Sequence, residues 1–418
     1  MTRERDTIRV GVVGVRRGKS FAEGADPSLN MKLVALCDTW EERLRQVAQQ
    51  LEVSAYTDFD RFLEQDMDAV ILANYFHQHA PLAIKALDSG RHVMSETAAC
   101  ATLAEGVALV EAVERSGRIY MFAENYPYML FNQEMRRLYQ AGTVGKFKYG
   151  EGEYVHPMSA HDFNSISPGI NHWRNWIPAT YYCTHSLAPI MFITDAWPTK
   201  VSGFVVEYDP DDPVHCGRTA RRDDLASIIV ARMDNGALVK LLQVSLRGHG
   251  NWVRIHGDRG LMENLRYGDA NMVRIRREPF DTPTGELEER TYLPQFTDHQ
   301  AEALRAGHGG GDFFMNYHFA QAIRTGQQPY LNVYRGVALS VVGILAYRSA
   351  LHDSRLIEVP GFRDKPSRTQ YAEDHWTPDP DRRQPGQPWP SVLGDIHPPE
   401  EGLAYARKVW EQMGYVGT

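Results

Sequence analysis

A segment near the amino terminus carries the residue types that bind dinucleotides. Residues 8–20 read I-R-V-G-V-V-G-V-R-R-G-K-S, an apolar β-branched run that breaks into glycines and basic residues. A second apolar run, residues 33–37, ends at Asp38. Strand, glycine turn, helix, strand and terminal acid form the βαβ unit in which the turn contacts a pyrophosphate and the acid hydrogen-bonds a ribose. This layout predicts NAD as the cofactor, because the charge of Asp38 would repel the 2′-phosphate of NADP.

The glycine turn departs from the G-x-G-x-x-G pattern. If Gly14 is the first glycine, Arg16 and Lys19 occupy the second and third glycine positions, and Gly18 stands one place early. Cationic contact would then replace close backbone approach to phosphate. The predicted cofactor-binding residues of the turn are Gly14, Arg16, Arg17, Gly18, Lys19 and Ser20. The turn alone leaves an alternative open, namely a glycine turn between a buried strand and a helix with no ligand.

Polar residues follow the next apolar runs along the chain. In a parallel sheet, ligands collect at the carboxyl ends of the strands. Asn74 and His79 follow the run at 68–73, and we expect both to contribute to the cofactor site. Glu96 and Asn125 follow the runs at 92–95 and 119–123, and we expect them to contact the nicotinamide ribose and the nicotinamide. For Glu96 the alternative is an exposed acid at a helix start.

Tyr182 and His185 stand three residues apart in Y-C-T-H and could move a proton. Histidine titrates near neutral pH, and a phenol can relay a proton or polarise a ketone, so both are predicted catalytic residues. Pro189 follows and argues against a long undisturbed helix through this segment. The alternatives are a hydrogen-bonded core histidine and a tyrosine that only packs.

Two further segments offer groups that bind sugars. The run 171–174 supplies His172, Trp173 and Arg174, which combine an aromatic face and a cation suited to a carbohydrate or an anionic sugar. The run G-H-G-G-G-D contains His308 and Asp312 on a loop whose glycines allow close approach to a ligand. A surface turn is the alternative for the first segment. A hinge, or a helix N-cap by Asp312, is the alternative for the second.

The pattern of apolar residues predicts two kinds of folding unit. Strands alternating with helices to residue 125 favour an α/β unit with a Rossmann-type doubly wound parallel sheet. Beyond it, strands separated by short turns, including the hairpin signal Asp234-Asn-Gly236, favour an α+β domain with a large, mostly antiparallel open sheet. The predicted domains are 1–125 (NAD-binding), 126–360 (substrate binding and oligomerisation) and 361–418 (an extended Pro-rich arm with a terminal helix).

Composition excludes several classes of protein. The 418 residues carry a formal net charge of −8, and no basic stripe is present, which argues against nucleic-acid binding. The four cysteines lack paired spacing, so we expect reduced thiols, and no His, Asp or Glu spacing indicates a metal site. No apolar run is long enough to span a membrane, and no apolar segment opens the chain, so we expect a cytoplasmic protein.

Short motifs in a fixed order resemble those of the Gfo/Idh/MocA family of sugar-active, nicotinamide-dependent proteins. The resemblance covers residues 8 to about 351 and leaves the tail outside. Where the family usually has E-K-P, with a lysine that assists proton transfer, this chain has Glu96-Thr97-Ala98. Where the family usually has D-x-x-x-H, this chain has Tyr181 in place of the aspartate.

Both departures make the chain similar to one branch of that family, the glycosidases of glycoside hydrolase family 109. The shared motifs are E-N at 124–125, G-E-G-x-Y-x-H at 150–156, Y-x-T-H-x-L-x-P at 182–189 and G-H-G-G-x-D-F at 307–313. E-T-A stands in place of the branch's usual E-V-P, and no secretion signal is present, which puts the identity of the substrate in doubt more than the chemistry. His156 and Tyr128 enter through this resemblance, as a substrate-binding residue and a catalytic residue facing the sugar.

The resemblance implies a glycosidase that works by transient oxidation at C3, elimination, water addition and re-reduction, with tightly bound NAD. Such a route requires no carboxylate pair around the scissile bond. It also implies a small sugar or glycoside as the ligand and a homo-oligomer, a dimer or tetramer. Two alternatives remain: an NAD(P)-dependent sugar or polyol dehydrogenase with net hydride transfer, and a non-catalytic NAD- or sugar-sensing protein.

Overall fold

In the computed structural model, which describes residues 7–212, 216–248 and 250–415, the chain forms two compact units. The first unit comprises the chain through Gln133, Gln295–Ser340 and Gly361–His375. The second unit comprises Glu134–Pro294, Val341–Pro360 and the chain from Trp376. Each unit therefore assembles segments that are distant in sequence.

The first unit is built on a parallel sheet with alternating helices. Its strands are β1 (Ile8–Val13), β2 (Met31–Cys37), β3 (Ser54–Tyr56), β4 (Ala69–Leu72), β5 (His92–Ser95) and β6 (Tyr120–Phe122). The helices between and after them are α1 (Gly18–Glu23), α2 (Glu41–Gln50), α3 (Phe59–Leu63), α4 (His79–Asp88) and α5 (Leu103–Ser116). The order β3-β2-β1-β4-β5-β6 reverses direction between β1 and β4, which is where dinucleotides bind in such sheets.

Helix α5 illustrates why these elements form where the sequence predicts them. The Thr102 side chain caps its amino terminus by accepting a hydrogen bond from the Glu105 backbone N–H at 3.1 Å. Gly117 closes its carboxyl terminus with φ of 63°, a conformation that suits glycine. Its apolar face, including Leu103, Val107 and Val110, is buried. Capping and the burial of the apolar face therefore agree on a helix from Leu103 to Ser116.

The second unit contains a nine-stranded sheet in the described part of the chain. Its strands are β7 (Phe147–Val155), β8 (Pro198–Val206), β9 (Ala226–Met233), β10 (Leu238–Val244), β11 (Gly250–Gly257), β12 (Leu261–Asn264), β13 (Val273–Arg276), β14 (Glu289–Tyr292) and β15 (Ile357–Glu358). They lie in the order β14-β13-β12-β11-β7-β10-β9-β8-β15. Strands β7 and β10 pair in parallel, and the other neighbours pair antiparallel, so the predicted mostly antiparallel sheet is confirmed.

The remaining helices come from both units. They are α6 (Leu130–Gln140), α7 (Ala160–Ile166), α8 (Cys183–Thr194), α9 (Gln300–Ala303), α10 (Gly311–Thr325), α11 (Val333–Ala350), α12 (Lys365–Thr369) and α13 (Glu400–Gln412). Helix α8 packs directly on β7. The two approach so closely at Gly152 that an added Cβ would clash with the backbone carbonyl of Ser186. This close approach fixes the position of α8, which carries His185, against the sheet.

The expectation that Pro189 interrupts a helix is wrong. Helix α8 runs from Cys183 to Thr194 with Pro189 inside it. Proline lacks the N–H that would donate to the carbonyl of His185, so one helical hydrogen bond is missing at this point. The residues around Pro189 are almost all buried, and packing of this apolar helix compensates for the lost bond.

The carboxy-terminal tail is divided between the units instead of forming an arm of its own. Residues 361–375 belong to the first unit, where Arg368 pairs with Glu114. Later residues belong to the second unit, where the Trp410 indole donates to the Asn164 carbonyl at 3.0 Å. The segment's Pro, Asp and Arg residues suggested an extended arm, but its buried Arg368 and Trp410 tie it to two cores.

Candidate active site and cofactor site

The glycine turn after β1 is shaped for close backbone approach. Gly14 has φ of +92°, and a Cβ at this position would lie 2.5 Å from the carbonyl oxygen of Ala73, so only glycine fits. Asp38, at the end of β2, accepts hydrogen bonds from the backbone N–H groups of Val15 and Trp40, both at 2.8 Å. Asp38 therefore fixes the turn as well as presenting a carboxylate at the carboxyl edge of the sheet.

Asn74 and His79 follow β4, next to the same turn. The side-chain oxygen of Asn74 is buried and has no hydrogen-bond partner within the described chain, so it is an acceptor that a ligand hydroxyl could satisfy. The His79 ring is fully buried, with Nδ1 2.9 Å from the Ala98 carbonyl and Nε2 3.3 Å from the Asn74 carbonyl. Burial lowers the pKa of His79, and both ring nitrogens lie against backbone carbonyls.

Arg17 is directed into the protein and forms ion pairs with two carboxylates. Its Nε donates to Glu96 Oε1 at 2.6 Å, and its Nη1 and Nη2 donate to the two carboxylate oxygens of Asp312, both at 2.9 Å. Nη1 also donates to Ser20 Oγ at 2.6 Å, and the guanidinium lies 4.5 Å from the centre of the Phe21 ring. The structure thus joins the predicted cofactor residues Arg17, Ser20 and Glu96 to Asp312.

Asp312 also holds His308, the other predicted substrate residue of this loop. His308 Nδ1 lies 3.0 Å from Asp312 Oδ2, and the histidine side chain is 48% exposed whereas the carboxylate is 7% exposed. Burial alone would raise the pKa of Asp312, but hydrogen bonds from His308 and Arg17 hold it well below its ordinary value. An ionised carboxylate at Nδ1 orients the imidazole and leaves Nε2 available, which is the arrangement of a proton-transfer dyad.

The other predicted residues of the first unit lie around these groups. Arg16 is half-buried, and Lys19 forms a 3.6 Å ion pair with Glu23. Asn125 is buried beside Gly311, where a Cβ would come within 2.7 Å of the Asn125 carbonyl oxygen. Tyr128 is 2% exposed, and its ring centre is 4.8 Å from that of His318. The glycine loop at 307–311 therefore packs against the segment that follows β6.

The predicted catalytic residues of the second unit form an aromatic cluster with Tyr154. The Tyr154 ring centre is 4.5 Å from that of His185, 5.7 Å from that of His156 and 6.0 Å from that of Tyr182. Tyr182 and His185 are separated by 6.4 Å between ring centres, and both side chains are half-buried. Strand β7 supplies Tyr154 and its neighbour His156, and the start of α8 supplies His185. The motifs at 150–156 and 182–189, which are separate in the sequence, are thus adjacent in the fold.

The segment 172–174 lies beside this cluster. Arg174 Nη1 donates to the Tyr182 hydroxyl at 3.3 Å, and its guanidinium lies 4.1 Å from the centre of the Trp173 ring. His172 stacks on Trp173 with 5.7 Å between ring centres, and its Nδ1 accepts from the Arg174 backbone N–H at 3.2 Å. Arg174 has no carboxylate partner within the described residues. Its cation is therefore available to polarise the Tyr182 hydroxyl or to bind a ligand oxygen.

An open pocket lies within the second unit. The side chains that line it are Tyr154, His156, Met158, Phe163, Tyr182, Arg221, Val244 and Ser245. A largely apolar lining with a few polar groups is typical of a small-molecule site. Three lining residues belong to predicted motifs, namely His156, Tyr182 and the tyrosine of G-E-G-x-Y-x-H, Tyr154.

Arg221 is the residue of this pocket that sequence reasoning missed. It is 3% exposed, makes two hydrogen bonds of 3.1 and 2.7 Å to the fully buried Asp223, and donates to Ser245 Oγ at 2.7 Å. The run R-R-D-D at 221–224 was the available signal, but charged runs of this kind usually lie in solvent.

The two units differ in what they can bind. Within the described residues, no group of three or more His, Cys, Asp or Glu side chains could hold a metal ion. The first unit fits a dinucleotide: Gly14 provides the turn, Asp38 a carboxylate, and Asn74 an unpaired buried acceptor at the reversal of strand order. The four cysteines form no disulfide among the described residues, and all four are buried. No helix in the described part of the chain is long and apolar enough to cross a membrane.

Replacement of Asp38 by alanine tests the predicted preference for NAD. Loss of a carboxylate hydrogen-bonded to a ribose should weaken NAD binding about tenfold or more and narrow the gap to NADP. Isothermal titration with both dinucleotides measures this. Because Asp38 also fixes the Val15 and Trp40 amides, Asp38→Asn is the matched variant that keeps an acceptor. Equal affinity of the unmodified protein for NAD and NADP would contradict the prediction.

Comparison with known families agrees with this division. Residues 8–124 match the family described as "Oxidoreductase family, NAD-binding Rossmann fold", and residues 203–369 match "Glycosyl hydrolase 109, C-terminal domain". The first match confirms NAD binding by the parallel-sheet unit, as predicted. The second supports the resemblance drawn from the motifs.

Similar curated proteins carry the same family name. A glycosyl hydrolase family 109 protein of Saccharopolyspora erythraea is 25% identical over 395 residues, which cover 85% of this chain and 83% of that protein. An alpha-N-acetylgalactosaminidase of Shewanella oneidensis is 24% identical over 397 residues, covering 85% of each.

Solved structures share the fold at low identity. A levoglucosan dehydrogenase in complex with NADH and levoglucosan superimposes with a TM-score of 0.73 at 20% identity, over 85% of this chain and all of that chain. An aldose-aldose oxidoreductase from Caulobacter crescentus has a TM-score of 0.65 at 18% identity, over 84% of this chain and 99% of that chain. These likenesses confirm the architecture.

Proposed function

We propose that this chain, whose residues 8–124 match an NAD-binding oxidoreductase family and whose residues 203–369 match the glycosyl hydrolase 109 carboxy-terminal domain, is an NAD-dependent glycosidase. When bound, NAD supplies a reversible hydride acceptor, so a sugar can be oxidised at C3, lose its C1 substituent by elimination, add water and be re-reduced. The first unit would hold it through Gly14, Asp38 and Asn74. The second unit would hold the sugar in its pocket.

The observation that carries this proposal is the chemistry of the pocket lining. Glycosidases that use acid–base catalysis flank the bond with two carboxylates. Within the described residues that line the pocket, there is no Asp or Glu, whereas Tyr154, His156 and Tyr182 are present. Tyrosine and histidine can take and return protons at a sugar hydroxyl and at C2. The lining therefore suits oxidation and elimination better than direct displacement.

His185 and Tyr182 are the groups we assign to proton transfer in the second unit. The chain has Thr97 where family members have the lysine that assists proton transfer, so another group must accept the proton from the oxidised hydroxyl or from C2. Arg174 Nη1 donates to the Tyr182 hydroxyl at 3.3 Å and so fixes the position of the phenol oxygen. The Tyr154 ring contacts those of His185 and His156 in tilted arrangements, with 4.5 and 5.7 Å between ring centres.

The His308–Asp312 dyad supplies a further proton donor on the first unit. Asp312 fixes Nδ1 and leaves Nε2 free to protonate a leaving oxygen or to bind a sugar hydroxyl. Asn125 and Tyr128 follow β6 on the same unit, and we assign them to the nicotinamide and the sugar respectively. We assign Trp173 and His172 to the face of the sugar, where stacked rings bind C–H groups.

Mass spectrometry of the denatured protein, together with a panel of nitrophenyl glycosides, tests the proposal. We expect one NAD per chain to be released on denaturation, and free sugar to form over many turnovers without added cofactor. Sugar release strictly stoichiometric with NADH formation would contradict it. Steady accumulation of NADH with a simple sugar would identify a dehydrogenase instead. If a Tyr182→Phe, His185→Ala double variant keeps every measurable function, the protein is a non-catalytic sensor.

We also propose that the protein is a cytoplasmic homo-oligomer that pairs through the nine-stranded sheet. The register of β8, β9 and β10 places five apolar side chains on one face of that sheet, each 38–52% exposed. They are Phe204, Val206, Ile228, Val230 and Leu238. A contiguous exposed apolar patch of this kind usually marks an interface between proteins. Light scattering coupled to size exclusion reports the mass, and a monomer at micromolar concentration would contradict this.

A further inference from the structure

The loop arginine Arg17 uses most of its donors inside the protein. A guanidinium has five N–H donors in a rigid fork. Arg17 directs four of them to Glu96, Ser20 and the two oxygens of Asp312, at distances from 2.6 to 2.9 Å. Its flat face covers the Phe21 ring. Little hydrogen-bonding capacity remains for a phosphate, although its place in the glycine turn suggests one.

We propose that Arg17 is a positioning residue that ties the His308–Asp312 loop to Glu96, and that cofactor binding is coupled through it to the order of that loop. The three residues come from distant parts of the chain: the turn after β1, the end of β5 and the start of α10. Arg17 is the group that joins the two carboxylates, because Glu96 and Asp312 each pair with it. The glycines at 307 and 309–311 give the loop no intrinsic rigidity, so its order depends on such contacts.

The electrostatics of the cluster make this link strong. Glu96 and Asp312 are 14% and 7% exposed, so each carboxylate needs a partner for its charge. The guanidinium of Arg17 is a charged partner of both carboxylates. A ligand hydroxyl that hydrogen-bonds Glu96 therefore acts on the same guanidinium that fixes Asp312 and, through it, His308. Two events that share one residue in this way have a coupling free energy, and the coupling is reciprocal.

The inference requires NAD binding but not glycoside cleavage, so it can fail or stand independently of the proposed function. Arg17→Met removes the donors and keeps the volume, and Arg115→Met is the matched control, because Arg115 forms an exposed ion pair with Asp88 on the same unit. Hydrogen–deuterium exchange of the peptide spanning 302–313 reports the order of the loop with and without NAD. Isothermal titration reports NAD affinity.

We expect exchange in the loop of Arg17→Met to rise about tenfold or more, as for loss of hydrogen bonds to a charged group. The change in loop exchange that NAD causes in the unmodified protein should disappear, a readout that a purely structural role would not move. NAD affinity should fall together with loop order, because a reciprocal coupling acts equally on both events. Arg115→Met should alter none of these quantities.

Two further variants test the same link in case Arg17→Met does not fold. Asp312→Asn breaks the same link from the other side and should raise loop exchange similarly. Arg17→Lys keeps the charge without the fork and should restore part of the loop's response to NAD. A tenfold or greater loss of NAD affinity with unchanged loop exchange would identify Arg17 as a phosphate ligand and overturn the proposal. Unchanged exchange in Asp312→Asn would also overturn it.

Discussion

His185→Ala is expected to bind NAD normally while its turnover of a cleaved glycoside falls by roughly 10²–10⁴, the range for loss of a general acid–base group. The ring lies at the start of α8, 4.5 Å from the Tyr154 ring, and is only half-buried, so its removal opens no large cavity. Turnover is measured on the nitrophenyl glycoside that the panel identifies, and NAD by titration. The chain has no lysine at position 97 to share this work.

His161→Ala is the matched control for this variant, because His161 is an exposed histidine of the same unit that pairs with Asp162 at 3.6 Å. It should change neither turnover nor thermal stability. The competing explanation of His185 is a structural histidine of the helix–sheet contact. If the melting temperature of His185→Ala collapses while the surviving folded fraction turns over at the normal rate, His185 is a core residue and its assignment to catalysis is wrong.

The parallel-sheet unit could be predicted from sequence because its elements follow local rules. Each strand from β1 to β6 except β3 appears as an apolar run, since parallel strands are buried on both faces. The caps of α5 and the turn at Gly14 are visible as single residues. The strands of the second sheet were harder to predict from the sequence. Strands β7 and β8 carry glycines and charges, because Gly152 meets α8 and Glu151 pairs with Lys240 on the other face.

The partners of the candidate site residues could not be predicted, because they depend on contacts distant in sequence. Arg17 has a residue type that binds phosphate, so it was predicted to be a cofactor ligand. In the fold it pairs instead with the carboxylate of Asp312, which is 295 residues away in the sequence. His79 has the residue type of a ligand, but the fold places it in the core. Pro189 locally disfavours a helix, but the burial of the apolar residues around it outweighs that preference.

Arg221→Met is expected to lower the free energy of unfolding by about 3–5 kcal/mol, the cost of removing one partner of a buried ion pair. Asp223 is fully buried, and Arg221 makes two hydrogen bonds to it, so removal of Arg221 leaves the carboxyl group without this charged partner. Ser245 in the pocket also loses its donor. Denaturation by urea, followed by circular dichroism, measures the loss. The exposed ion pair of Arg115 with Asp88 gives the comparison, for which Arg115→Met should cost about 0–1 kcal/mol.

The pH dependence of the same variant separates loss of the charge pair from loss of packing. Burial raises the pKa of Asp223 even with Arg221 beside it, and Arg221→Met removes the guanidinium that opposes this rise, so the folded variant binds a proton that the unfolded state releases. Stability of Arg221→Met should therefore improve relative to the unmodified protein as pH falls from 7 towards about 5. Arg221→Met, Asp223→Leu removes both charges and should recover most of the lost stability at pH 7. If the double variant is as unstable as the single one, Arg221 stabilises the pocket through its packing on Phe163 and its bond to Ser245, and the charge-pair argument is wrong.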